Sequence, residues 1–352
     1  MPDLLPPPSA SSSAVPASAD ALRADDAATD GTGGQTPLAG EAALLAEIAD
    51  LKRVRAAHLP GGISWMTDRF VRSWQQVLYI VADETFDEAA LDELAWTETA
   101  RAVAAARAGA ITPQQLRLAG LSDEVIAGFY RDAIAEHAAV LGSDRTQRLQ
   151  ACVDTLICDE PPCERAAEVP ACVDALSRQP RAGATAPRQA RILLDPPENH
   201  AEHCGCVAVG GVLAAARLGA PVGRVFLFGL AHHLHNATLA DSGFAGEVLL
   251  SDRLEPALDA LFEVAYAELP PAVASLMRPL RREMAASETP AARAFHTADV
   301  IDRVAEMRHF ERAARFHTRL ALHDLDLVHV GPTQAFGQQV LREAGWWQEG
   351  GS

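Results

Sequence analysis

Three histidines lie close together in the stretch VFLFGLAHHLHNATLADSGFAGE, residues 225–247. The stretch begins with apolar side chains at nearly every position, as a helix buried on all sides does. It then places His232, His233 and His235 within two turns, followed by Asp241. Burying imidazoles costs free energy unless they are hydrogen-bonded or bind a metal. These residue types at this spacing therefore favour a chemical site over simple packing in the core.

Two residues elsewhere in the chain could join this cluster, although each also has an ordinary structural interpretation. His203 faces the same side of its predicted helix as Val207, which is typical of a core histidine with satisfied hydrogen bonds. Asp299 precedes Arg303 by four residues, the spacing of an ion pair on a helix surface. Taken alone, neither residue indicates a site.

Three helices must carry these side chains if they are to meet. We predict the first over residues 199–218, the second at the start of 225–247, and the third after the N-cap signal Thr289-Pro290. The pair Gly210-Gly211 inside the first helix costs about 1 kcal/mol per glycine relative to alanine. We therefore expect another helix to approach this pair closely, which would make the first helix central.

The rest of the chain is predicted to be helical, so the fold class is all-α. Residues 1–40 are rich in Pro, Ser, Ala and Gly and predict a disordered tail. Residues 41–158 predict a helical bundle with no convincing strand, in which residues 85–88 (TFDE) fit a capping box. The proline-rich residues 159–187 predict a linker, and residues 188–345 a second helical domain that holds the candidate site.

Composition restricts the partners that this chain can have. The net charge is −17, and Lys52 is the lone lysine among 30 basic residues, which argues against a nucleic-acid groove or an anionic membrane surface. No stretch holds the ~18 uninterrupted apolar residues of a membrane span. Six cysteines without a CxxC pair or an export context predict reduced thiols in a cytoplasmic protein. An exposed helical face over residues 44–54 would permit a homodimer.

Taken together, the histidines and the later aspartate resemble the HD-domain superfamily of metal-dependent phosphohydrolases, most closely its bacterial 5'-deoxynucleotidases. In that family an arginine-containing segment precedes a Glu-His pair, which Arg191 and then Glu202-His203 match here. The family's LLHDxxE followed by GD is matched by LAHHLHN followed by Ala-Asp241. Its terminal ADxxD helix is matched by ADVID, which gives Asp299.

The resemblance covers residues 188–307 and departs from the family at two positions. His233 stands where the family has the metal-binding Asp that gives the HD domain its name. Asn236 stands where the nucleotidases have a Glu close to the attacking water. Because an amide cannot take a proton from water, Asp241 or Glu202 would have to act as the catalytic residue instead.

The resemblance implies a metal site formed by three imidazoles and one carboxylate, those of His203, His232, His233 and Asp299. Such a set suits one divalent transition metal ion, such as Zn, Mn, Fe, Co or Ni, better than Mg. Adjacent residues on a helix point about 100° apart, so His232 and His233 can share one metal only if the helix end leans over it.

The function implied by this resemblance is metal-dependent hydrolysis of a phosphomonoester, for example a nucleotide. Arg191 would hold the phosphate and Asn236 would contact the substrate, while Asp241 would orient the substrate or move a proton. The expected partner is thus a small phosphorylated molecule.

Two other functions remain open on the sequence. The first is a degenerate HD domain that binds a metal or a nucleotide without catalysis and serves a regulatory or structural role. The second is the oxygenase chemistry of those HD relatives that hold two irons. The oxygenase is disfavoured because no histidine falls between His235 and His296 to supply ligands for a second iron.

Overall fold

A computed structural model describes residues 37–82, 85–158, 169–314, 318–324 and 326–347. Over these ranges the protein is all-α, as the sequence predicts, and one pair of two-residue antiparallel strands, β1 Val81–Ala82 and β2 Thr85–Phe86, is its sole sheet. The helices are α1 Pro37–Ala49, α2 Trp65–Ile80, α3 Glu88–Ala108, α4 Pro113–Leu118, α5 Asp123–Ala135, α6 Ala138–Ala151, α7 Val153–Ile157, α8 Ala171–Arg178, α9 His200–Leu218, α10 Val222–Ala231, α11 Gly243–Leu250, α12 Leu254–Tyr266, α13 Pro271–Glu283, α14 Pro290–Ala314 and α15 Gln334–Glu343.

Helix starts follow the polar capping residues of the sequence. The side chains of Thr112, Ser122 and Asn199 each accept an N–H from the first turn of α4, α5 and α9, respectively. The capping box predicted at Thr85 is wrong, because Thr85 lies in β2. The side chain of Asp87 caps α3 instead.

The N-terminal helix lies inside the protein rather than on its surface. Residues 1–36 of the predicted tail lie outside the described residues, and α1 begins at Pro37. Leu44, Ile48 and Leu51 are at most 2% exposed, and α1 packs against α14 and α9. The face expected to be exposed is therefore buried within the chain, and it does not offer the surface that a homodimer would need.

The predicted linker also contributes to the core. Its residues 159–168 lie outside the described ranges, but α8 follows and buries Cys172, Val173 and Leu176. Helices that precede and follow this segment share the same apolar clusters, and all described residues fall in one compact unit. The five cysteines among the described residues are free thiols.

Helix α9 is the centre of the fold, and its glycines explain how closely its neighbours approach. A Cβ at Gly210 would lie 3.2 Å from Ala298 of α14, and one at Gly211 would lie 2.8 Å from Val225 of α10. The expected close approach is thus confirmed. Among the described helices, α9 is the one long and apolar enough to span a membrane, but 83% of its apolar window is buried in the protein. That degree of burial is typical of a helix in the core of a protein.

Candidate metal centre

Helices α9, α10 and α14 bring four of the predicted site residues together. His203 lies in α9 and is fully buried, and Asp299 lies in α14. His232 is the C-cap of α10, and His233 follows it at the start of a 3-10 turn. The change from α-helix to this tighter turn brings the two imidazoles side by side, with ring centroids 4.3 Å apart. The geometry needed for adjacent histidines to share a metal is therefore present.

Each of these histidines uses its Nδ1 to donate a hydrogen bond to an oxygen. His203 Nδ1 lies 2.7 Å from a carboxylate oxygen of Asp302, and His232 Nδ1 lies 2.7 Å from the carbonyl oxygen of Gly229. Both oxygens can only accept, so Nδ1 carries the proton in each ring. In a neutral imidazole the other nitrogen, Nε2, then presents a lone pair.

His233 follows the same pattern through a side-chain amide. Its Nδ1 lies 2.9 Å from the amide oxygen of Asn236, whose amide nitrogen donates to the carbonyl of Leu239. Asn236 is 5% exposed. Its place in the structure is thus as the hydrogen-bond partner that orients His233, whereas the sequence predicted a contact with substrate.

The free electron pairs of this group converge. His203 Nε2 lies 3.2 Å from His232 Nε2 and 3.3 Å from Asp299 Oδ1. One ring nitrogen each from His203, His232 and His233 lies within 4.8 Å of the other two. Acceptors packed this closely repel one another unless they share a proton or a metal cation. The described residues therefore form a group that could hold one metal ion.

Burial favours the neutral form of two imidazoles of this group, those of His232 and His233. It lowers the pKa of His232 to about 3, with the neighbouring His203 adding to the effect. Burial also lowers the pKa of His233 well below its usual value. For Asp299 burial acts in the opposite direction and raises the pKa, but the contact with His203 and the charge of Arg303 outweigh burial and lower it. Neutral imidazoles and a charged carboxylate are the protonation states that bind metals.

A second group of possible ligands, Glu198, His203 and Asp302, already contains a cation of the protein itself. The ammonium group of Lys52 lies 2.7 Å from Glu198 and 2.8 Å from Asp302, and all these side chains are buried. Because Lys52 already occupies the space between these carboxylates, we assign the metal to the other group, on the Nε2 side of His203.

A cavity of about 210 Å³ gives access to the metal centre. His232, His233 and Asp299 line it, together with the guanidinium groups of Arg181 and Arg303. Arg181 contacts Glu198 through Nε at 3.3 Å, whereas its buried Nη1 has no hydrogen-bond partner among the described residues. Arg303 lies 3.8 Å from Asp299. These two arginines lie in the cavity wall among the carboxylates of Glu198, Asp241, Glu247 and Asp299, and a guanidinium group can bind a phosphate through two hydrogen bonds.

Other predicted site residues lie elsewhere or have structural roles. Arg191 is exposed, contacts the carbonyl oxygen of Ser242 at 3.4 Å, and is not part of the cavity wall. Glu202 accepts the amide of Asn199 at the start of α9 and lies 3.6 Å from Arg55, also away from the cavity. Neither residue lines the cavity in which the sequence placed its role.

Asp241 does line the cavity, as expected, but its two oxygens also have structural partners. One accepts the backbone N–H of Ala182 at 2.9 Å, and the other accepts that of Gly243 at 2.8 Å. Asp241 therefore connects the loop that contains Arg181 with the start of α11. The cavity also contains Glu247, whose pKa is raised by burial.

Three important residues were not identified from the sequence. Asp302 follows Asp299 at the i+3 spacing that places both on one helix face, so a signal for it was present. Lys52 was visible as the lone lysine, but nothing local linked it to a histidine. Arg181 lies in a Pro- and Gly-rich segment without periodicity, and we find no sequence signal that distinguishes it from Arg191.

Comparisons with known proteins identify no relative. No protein-family model matches the chain, and neither a curated protein nor a solved structure is significantly similar to it. Membership of the HD-domain superfamily therefore stays a prediction from the motifs, and the function has to be argued from the site.

Proposed function

We propose that this protein is a metal-dependent phosphohydrolase of the HD type that acts on a small phosphomonoester, for example a nucleotide. The proposal depends on one observation: His232 Nε2 and Asp299 Oδ1 both lie within 3.3 Å of His203 Nε2. His233 would supply the fourth ligand. Three imidazoles and one carboxylate suit Zn, Mn, Fe, Co or Ni.

A metal bound here would lower the pKa of a bound water molecule and polarise a phosphoryl oxygen. The residues of the chain would do the rest. Arg181 lines the cavity and has a buried Nη1 without a hydrogen-bond partner among the described residues, and Arg303 lies 3.8 Å from the carboxylate of Asp299. These two arginines would hold the phosphate, the role that the sequence assigned to Arg191.

Proton transfer would fall to the carboxylates of the cavity wall. Asp241 is held in place by two backbone amides, and Glu247 has a pKa raised by burial. A carboxyl group with a raised pKa exchanges protons more readily near neutral pH than an exposed one. We therefore assign general acid–base work to Asp241 and Glu247 instead of Glu202.

A second candidate function is binding without turnover, as in a degenerate HD domain. It is favoured by Asn236, which is engaged with His233 and Leu239 and does not face the cavity. In this case the same metal and phosphate contacts would hold a ligand, and the packing of α1 on α9 and α14 would connect the site to the N-terminal helices.

One experiment separates the two functions. The purified protein is analysed for bound metal and then incubated with a panel of nucleoside monophosphates in the presence of Mn, Co or Zn. Phosphate release that depends on the metal supports the hydrolase. Bound metal without phosphate release supports the second candidate, and absence of both contradicts the metal centre.

The proposal also includes a cytoplasmic location and partners limited to small phosphorylated molecules. The net charge of −17 and the free thiols among the described residues agree with it. Nucleic acid and membranes are not among the proposed partners.

A further inference from the structure

Lys52 contacts Asp302, the hydrogen-bond partner of the candidate ligand His203. It lies in the 3-10 turn Asp50–Arg53 that follows α1 and is 2% exposed. Its ammonium group contacts three buried carboxylates, at 2.7 Å (Glu198), 2.8 Å (Asp302) and 3.6 Å (Glu306). A lysine is rarely buried without such partners, because removing its charge from water is costly.

One oxygen of Asp302 connects this lysine to a metal ligand. Asp302 Oδ2 accepts a hydrogen bond from Lys52 Nζ at 2.8 Å and one from His203 Nδ1 at 2.7 Å. A hydrogen bond at Nδ1 decides which nitrogen of a metal-binding histidine is left for the metal and how the ring is oriented. The position of Asp302 Oδ2 therefore determines where Nε2 of His203 points.

We propose that Lys52 is a positioning residue of the metal centre. Its ammonium group lies where a metal cation could otherwise bind among Glu198, Asp302 and Glu306, and it holds Asp302 in place as the acceptor for His203. The proposal rests on the metal centre of the proposed function, but not on hydrolysis. It also gives the N-terminal helices a part in the chemistry, since Lys52 and His203 come from different halves of the chain.

The residue type matters for this role. An ammonium group is compact and has three donors that can point toward three acceptors. A guanidinium group keeps the charge but is larger and planar, so Lys52→Arg should preserve the centre only in part. Lys52→Met keeps the approximate length of the side chain and removes both the charge and the donors.

Arg53 provides a matched control. It contacts the same carboxylate cluster through Glu306 at 2.7 Å, and Asp302 is not among its described partners. Arg53→Met therefore removes one positive charge from the same cluster without touching the bond to His203. A general electrostatic or structural effect would appear in both variants, whereas a positioning effect appears in Lys52→Met alone.

The first measurement is the affinity for Co²⁺ by equilibrium dialysis of the full chain. We expect Lys52→Met to bind Co²⁺ about 10- to 100-fold more weakly than wild type, the usual loss when the partner of a ligand is removed. Lys52→Arg should lie between the two, and Arg53→Met should remain close to wild type. Equal losses in Lys52→Met and Arg53→Met, or no loss in either, would overturn the proposal.

The second measurement needs no metal. Nitrogen-15 NMR of the histidine side chains in the metal-free protein reports which ring nitrogen carries the proton. We expect His203 to carry it on Nδ1 in wild type and Arg53→Met, and to lose this preference in Lys52→Met. An unchanged His203 signal in Lys52→Met would refute the positioning role, even for a protein that binds no Co²⁺.

If Lys52→Met does not fold, Asp302→Asn tests the same connection. The amide leaves the volume unchanged but removes the charge that holds Lys52, so the same loss of Co²⁺ affinity is expected, and wild-type affinity would contradict the proposal. Failure of the hydrolase is a separate outcome. A wild type that binds Co²⁺ but releases no phosphate refutes the proposed activity and leaves the role of Lys52 intact.

Discussion

His203 Nδ1 lies 2.7 Å from Asp302 Oδ2, and this bond directs the other nitrogen of the ring toward His232 and Asp299. His203 is fully buried, so its ring cannot turn toward solvent. Burial raises the pKa of Asp302, but the charge of Lys52 and the hydrogen bond from His203 outweigh burial and hold that pKa below its usual value. The carboxylate is therefore charged at neutral pH and remains an acceptor.

Replacing His232 by Ala should remove the bound metal, because one of the converging nitrogens is lost. His235→Ala is the matched control, since His235 lies three residues further along, packs against Phe262 and is not part of the ligand group. Metal content per chain, measured by elemental analysis, should fall close to zero in the first variant and stay at the wild-type level in the second. Unchanged metal in the His232 variant would refute the ligand assignment.

Replacing His233 by Asp tests whether the departure from the HD pattern weakens catalysis. A carboxylate at this position restores the His-Asp pair, and we expect metal-dependent phosphate release to appear or to increase. Initial rates with Mn, Co and Zn check the prediction. If the variant binds metal as wild type does and releases no more phosphate, the change at this position is not what limits hydrolysis.

Arg181→Gln should weaken binding of the phosphorylated substrate more than Arg191→Gln does. Arg181 lines the cavity, whereas Arg191 is exposed and outside it. A hydrogen bond to a charged group contributes about 1.5–3 kcal/mol, so KM or Kd should rise roughly 10- to 100-fold for Arg181→Gln. The Arg191 variant should be close to wild type, and the reverse order would restore the role predicted from the sequence.

Gly229→Ala should destabilise the protein and the metal centre together. A Cβ at Gly229 would lie 2.5 Å from the Cα of Ala208, so α9 and α10 would have to separate. Overpacking of this kind costs about 1–3 kcal/mol, and it would move His232 relative to His203. Urea unfolding and Co²⁺ affinity measure the two effects.

Gly128→Ala is the control for this glycine. Gly128 lies in α5, and a Cβ there would meet no atom within 4 Å. The free energy of unfolding should rise by about 0.5–1 kcal/mol, since alanine favours the helix. A lower free energy of unfolding in the Gly128 variant would contradict the open space around Gly128.

The free energy of unfolding should fall as the pH is lowered below about 6.5. Burial, together with the charge of Arg303, lowers the pKa of His329 in the folded protein from 6.5 to about 4. As the pH falls through this window, the unfolded chain binds the proton first, so the folded state loses up to about 1.4 kcal/mol per pH unit from this residue. The loss is absent above the window.

His329→Gln should reduce this pH dependence. Urea unfolding at several values between pH 7 and pH 5 gives the slope, which should be smaller in the variant than in wild type. His58→Gln serves as the control, because His58 is exposed. Equal slopes in wild type and His329→Gln would show that His329 does not cause the pH dependence.

The local features of this protein could be predicted from its sequence. The all-α class and the extent of α9 follow from patterns within a few residues, and the structure agrees with them. The close approach at Gly210 was predictable for the same reason, because a glycine inside a helix needs compensation.

The candidate ligands could also be proposed from residue type, spacing and family resemblance. What the sequence could not supply was the choice among alternatives. Arg181 and Arg191 both occur in irregular segments, and only the packing of their loops decides that the first lines the cavity. Asn236 and Glu202 were assigned to the substrate and the proton, and in the structure they orient His233 and cap α9.

The sequence by itself determined the all-α class and the residue types that could bind a metal, since both depend on neighbours along the chain, although it missed α8 in the predicted linker. Tertiary structure decided which residues support the candidate ligands, namely Asp302 and Lys52. His203 and Asp302 are separated by 99 positions, and Lys52 and Asp302 by 250. Contacts at such separations exist only after helices pack, so no periodicity or spacing rule records them.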